Sequence, residues 1–135
     1  VTEANRRQNI VDAIARAGDA LRAAEALLAA GLCADAISRA YYAAFHWMRA
    51  LLFALGEEPR THAGVLHLFN RDYVRAGRLP PEWSRVLAGL QRARELADYD
   101  PVMQFAEADV RAQLGEVERF GAETERLLRA DGWIA

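Results

Sequence analysis

The chain has 135 residues, 53% hydrophobic and 27% charged, with a formal net charge of −2. That length suits a single domain spanning residues 1–135, able to bury about two thirds of its unfolded surface. No apolar run approaches the ~18 residues of a membrane span, no signal-peptide pattern is present, and the lone Cys33 excludes an internal disulfide and a cysteine-built metal site.

Helical periodicity starts near residue 3 and runs to about residue 30. Ile10, Ile14, Ala17, Leu21, Ala24 and Leu28 step by alternating fours and threes, the seam of a helix packed along one side. Gly31 is placed to end it, and Asp35 to cap a second helix reaching Leu55 before Gly56. So short a connection makes the first two helices an antiparallel hairpin, with Cys33 a small apolar filler in the turn. Thr61 is the expected cap of a third helix, with Val65, Leu66, Phe69 and Tyr73 on one face. Pro80 and Pro81 precede a fourth, amphipathic through Trp83, Val86, Leu87, Leu90 and Ala97, and Asp98-Tyr99-Asp100-Pro101 breaks the chain again. A fifth helix over about 107–129 buries Val110, Leu114, Val117 and Leu127, leaving Trp133 and Ile134 in a tail folded back or at an interface. With no strand-like alternation, these elements predict an all-α, antiparallel four- to five-helix bundle.

The second helix carries two stripes. Ala36, Ala40, Ala43, Ala44, Trp47, Met48, Leu51 and Leu55 have the spacing of a buried face. Arg39, Tyr42, His46, Arg49 and Phe53 form another, part polar and part aromatic, expected to meet a helix, a subunit or a ligand. Seven residues of α-helix return to within about 20° of the starting direction, so Arg39 and His46 leave one face about 10 Å apart along the axis. One phosphate-sized group could touch both.

Charge distribution agrees with that possibility. Between Arg39 and Arg94, nine arginines stand against Glu57, Glu58, Asp72 and Glu82, giving +5 in that segment and −7 elsewhere. Either the bundle has ordinary scattered surface charge or it has a positive face around Arg39 and His46.

There is no Gly-rich phosphate loop, no HExxH and no paired Cys or His at metal spacing, so neither metal nor cofactor is expected. Arg39 and His46 are compatible with simple packing roles. The chemistry they would suit is attack of an RNA 2′-hydroxyl on its own phosphodiester, with a neutral imidazole as base and a guanidinium holding the phosphate. Thr61-His62 reads most simply as a cap and first-turn residue, and Arg94 with Asp98 as an i,i+4 ion pair. Alternatively, Asp98 or Tyr99 folds back to orient Arg39 or Tyr42.

Several blocks occur together in order: Leu27-Leu28-Ala29-Ala30-Gly31, the run from Ala36 through Ser38-Arg39-Ala40-Tyr41-Tyr42 to His46, Leu51-Leu52, Pro59-Arg60-Thr61-His62-Ala63-Gly64-Val65, Phe69, and Arg94 to Tyr99. This ordered set resembles the HEPN superfamily, in particular its small stand-alone bacterial and archaeal members, over a core of about 11–129. The resemblance implies a helical, homodimeric bundle and, in many members, a ribonuclease with an arginine and a histidine separated by four to six residues. Arg39 and His46 have six between them and would be the catalytic pair, facing their counterparts across the dimer cleft. Tyr42, Asp98 and Tyr99 would be supporting residues. Many such proteins are toxins paired with a minimal nucleotidyltransferase antitoxin, which in some pairs modifies a tyrosine just after the histidine. Here Met48 occupies the position two after His46, and Tyr41 and Tyr42 precede it.

The expectation is a cytoplasmic, toxin-like, metal-independent endoribonuclease acting on RNA beside a nucleotidyltransferase partner. The alternative is a catalytically silent nucleotide- or substrate-binding subunit of that nucleotidyltransferase. The chain begins at Val1 rather than Met, which leaves room for residues upstream.

Overall fold

The computed structural model describes residues 2–100, 102 and 104–135. Five α-helices, α1 (Glu3–Ala29), α2 (Cys33–Ala54), α3 (His62–Phe69), α4 (Glu82–Tyr99) and α5 (Glu107–Ala130), form an all-helical bundle, with no strand among the described residues. None of these helices is long and apolar enough to cross a membrane.

α2 is the central element. Thirteen of its 22 residues are buried, and it packs against each of the other four helices. Ala36, Ala40, Ala43 and Ala44 are at most 1% exposed, and α1 buries Ala13, Ala17, Ala20 and Ala24. Short side chains on both helices let their backbones approach closely. The hairpin turn closes at Gly31, where φ is +80°. There the Gly31 N–H donates to Leu28 O and the Leu32 N–H to Leu27 O, satisfying two carbonyls left over by α1.

The start of α2 differs from expectation. The helix begins at Cys33, and Asp35 lies in its first turn rather than at its cap. A carboxylate there still faces the positive end of the helix dipole, so the residue type is favourable in either place. Cys33 packs against the core from this first turn. Leu55, expected on the buried stripe, is 43% exposed because α2 ends one residue earlier.

Thr61 caps α3, its Oγ1 accepting from the Gly64 N–H at 2.9 Å. α3 runs directly into one π-helical turn, Asn70–Val74, whose Tyr73 is buried and donates its hydroxyl to Leu51 O of α2 at 2.5 Å. α4 starts at Glu82 with Pro81 as its cap, and it continues through Asp98 and Tyr99 rather than breaking at them. Pro101, expected in that break, lies outside the described residues. On α5 Val110, Leu114 and Val117 are buried as expected, but near its end the buried leucine is Leu128 and Leu127 is half-buried, a one-position shift, and Phe120 also enters the core. The indole of Trp47 lies against Gly121 of α5 and donates its Nε1–H to Glu125 Oε2 at 3.1 Å. The tail folds back: Arg7 donates to Gly132 O at 2.8 Å and lies 5.0 Å over the Trp133 ring.

Candidate functional site

The groove between α1 and α2 brings Arg39, Tyr42 and His46 to one cavity of about 390 Å³. Positions 39, 42 and 46 supply one wall, as their spacing on α2 requires. Arg16, Asp19, Ala20 and Ala23 of α1 supply the other. Tyr42 holds Arg39, whose guanidinium carbon lies 4.7 Å over the phenol ring. Asp19 is occupied with Arg22, one turn along α1, so the two arginines dominate the charge of the cavity.

His46 is half-buried, and its Nδ1 is enclosed without a hydrogen-bond partner among the described residues. Burial, and then the positive charges of Arg49, Arg16 and Arg39, pull its pKa from 6.5 down to about 4. The imidazole is therefore neutral near pH 7, the form that can accept a proton.

Phe45, the neighbour of His46, begins a second cavity of about 530 Å³ on the other side, completed by Arg49, Glu58, Pro59, Arg60 and His62. His62 opens α3 and lies 4.5 Å from the Phe45 ring, while the His46 ring lies 5.5 Å from it. The Tyr41 hydroxyl is 2.9 Å from His62 Nδ1. Burial first, then Arg94, lowers the pKa of His62, and burial pushes Tyr41 up to about 12. Nothing in the sequence around Thr61-His62 distinguished a cap from a cavity residue, and Arg16 offered no signal, since both reach the site only through helix packing.

Asp98 and Tyr99 sit elsewhere. Asp98 pairs with Arg94 at 3.1 Å, the i,i+4 ion pair, and accepts a hydrogen bond from Ser38. Arg94 stacks 4.8 Å over Tyr41. Asp98 thus reaches α2 through Ser38 and Arg94 rather than through Arg39 or Tyr42. Tyr99 is 75% exposed and borders a separate shallow cavity with Arg92, Glu95, Leu96 and Asp100. No three His, Cys, Asp or Glu side chains cluster as metal ligands among the described residues.

An all-helical bundle with an arginine–histidine pair lining a groove beside its central helix defines a class, and comparison with known proteins places the chain within it. The model of the HEPN domain matches residues 10–127, and the chain belongs to that family. It is 33% identical over 113 residues to a UPF0332 protein of Thermotoga maritima, covering 84% of this chain and 86% of the relative. A UPF0332 protein of Gloeobacter violaceus is 40% identical over 93 residues, 69% of this chain and 71% of that protein. A protein of Methanocaldococcus jannaschii named "putative toxin" is 37% identical over 93 residues, 69% of each chain.

Proposed function

We propose that this HEPN protein is a toxin-like endoribonuclease that cleaves RNA without a metal ion. The observation that carries it is the shared cavity of Arg39, Tyr42 and His46 between α1 and α2. The name of the Methanocaldococcus relative agrees with a toxin role.

In this mechanism neutral His46 takes the proton of a ribose 2′-hydroxyl, and the oxygen attacks the adjacent phosphorus. The phosphorus–O5′ bond breaks, the protonated His46 returns its proton to the departing O5′, and the products are a 2′,3′-cyclic phosphate and a 5′-hydroxyl. Arg39, held by Tyr42, clamps the phosphate and offsets the charge that develops on it. Asp98 supports the helix face from behind through Ser38 and Arg94, and Tyr99 completes the same end of α4. Two copies of the chain would place their Arg39 and His46 across a common cleft, acting in the cytoplasm under the control of a nucleotidyltransferase antitoxin.

A second reading has one specific observation in its favour. A histidine pulled down to about 4 is a weak base in the free protein, as would suit a silent nucleotide- or substrate-binding subunit of a nucleotidyltransferase. Regulated expression in a bacterial host separates the two. Growth arrest by the wild type, relieved in His46→Ala at equal protein level, supports the nuclease. Harmless wild-type expression, or equal arrest by the variant, contradicts it.

A further inference from the structure

The two cavities flanking the Phe45–His46 edge of α2 repeat one composition. The first contains Arg16, Arg39, Asp19, His46 and Tyr42; the second contains Arg49, Arg60, Glu58, His62 and Phe45. Each has two arginines, one acid, one histidine and one aromatic ring. Arg16, Arg39, Arg49 and Arg60 form no ion pair among the described residues, as is true also of Arg6, Arg75, Arg85, Arg92, Arg119 and Arg129, so what marks these four is their place in the two hollows. Free guanidiniums thus line both hollows.

The second cavity is also held in shape. Arg49 lies 5.0 Å over Phe53 and 5.8 Å over Phe45. His62 is tied at Nδ1 by Tyr41, which leaves Nε2 as the ring nitrogen able to meet a ligand. A ligand that satisfies two such hollows on one helix must itself repeat an anionic group beside a flat ring. Single-stranded RNA does so, and its unstacked bases can lie against half-buried Tyr42 and Phe45.

Building on the RNA reading of the Arg39–His46 groove, we propose that the cavity of Phe45, Arg49, Glu58, Arg60 and His62 is a second nucleotide subsite. It takes a further phosphate of the strand held by Arg39, so that the strand crosses α2 at Phe45 and His46. Recognition of a strand rather than of one phosphate follows.

Fluorescence anisotropy with 2′-O-methyl RNA, which lacks the attacking hydroxyl and stays intact, tests this. A dinucleotide with one internal phosphate is compared with a tetranucleotide with three. The wild type should bind the longer probe more tightly by about tenfold or more. Arg60→Ala, at an exposed position, and Arg49→Ala should lose most of that gain, and the salt dependence should fall by about 0.7 in log–log slope for each phosphate no longer neutralised by an arginine. Arg75→Ala, exposed and outside both cavities, should keep the gain. A wild type without a gain in affinity with length, or a gain undiminished in Arg60→Ala, overturns the subsite. The nuclease reading is judged separately on unmodified RNA: strand binding with an Arg60-dependent gain but no cleavage removes the chemistry and leaves the subsite standing.

Discussion

The hydroxyl of Tyr41 on α2 stands 2.9 Å from Nδ1 of His62 on α3, joining the motif helix to the first turn of the next one. Burial pushes Tyr41 up to about 12, so its hydroxyl is intact at neutral pH, and His62, lowered from 6.5, is neutral there. Tyr41→Phe deletes this bond while keeping the ring that packs against Tyr42 and Phe45. The expected loss is about 0.5–1.5 kcal/mol in urea unfolding. The His62 ring resonances should shift as Nδ1 loses its partner; unchanged stability together with unchanged resonances contradicts the bond.

His46 gives a pH dependence of defined sign. Its folded-state pKa, about 4, lies below the ordinary 6.5, so between those values the unfolded chain binds more protons than the folded one. The stabilisation is complete above pH 6.5 and is lost as pH falls towards about 4. His62, also lowered, adds in the same direction. His46→Asn should therefore flatten, without abolishing, the decline in stability across this window. In an NMR titration His46 should have its midpoint near 4 in the free protein and move upward when a phosphodiester analogue enters the groove, since the anion opposes the surrounding arginines. A free-protein midpoint near 6.5 contradicts the environment described.

Asp98 is the only carboxylate within ion-pair reach of Arg94 among the described residues, and the Arg94 side chain is only 12% exposed. Asp98→Ala leaves that guanidinium without its partner and removes the acceptor of Ser38. A loss of about 1–2 kcal/mol is expected, moderated because the Asp98 side chain is itself 30% exposed. Asp98→Asn, which keeps an acceptor, should lose less. Urea unfolding of the two variants checks the order.

Gly121 is set by contact and not by backbone conformation. A methyl group added there would fall inside contact distance of the Trp47 indole, a rigid ring already anchored to Glu125. Gly121→Ala should cost about 1–3 kcal/mol by overpacking and alter the near-ultraviolet signal of the tryptophan. Gly115→Ala on the same helix, where the nearest atom is the end of the Arg119 side chain at 3.9 Å, should cost nothing or gain slightly.

Much of this molecule could be read from the chain. Period-3.6 spacing located all five helices, and the glycine at position 31 fell where α1 ends. Seven residues on one helix are enough to put Arg39 and His46 on one side, because that relation is internal to α2. Errors of one or two positions arose where residue types suit neighbouring slots equally well: Asp35 favours a cap and a first turn alike, and Leu127 and Leu128 differ only in helix phase. Arg16 and His62 were invisible as cavity residues for another reason. Their approach to α2 depends on how α1 and α3 pack against it, which no single-helix pattern encodes. The i,i+4 spacing marks Asp98 as half of an ion pair, while its second contact, to Ser38, spans 60 positions and rests on tertiary packing.

Cleavage of an end-labelled RNA pool in EDTA by the purified protein, with Arg39→Ala and His46→Ala alongside, tests the central claim most directly. Arg39 is exposed and can be replaced without disturbing the core. The wild type should cut and leave 2′,3′-cyclic phosphate ends, with each variant slower by about a hundredfold or more. No cleavage by the wild type, or equal cleavage by the variants, would contradict the assignment of the groove between α1 and α2 as a nuclease site.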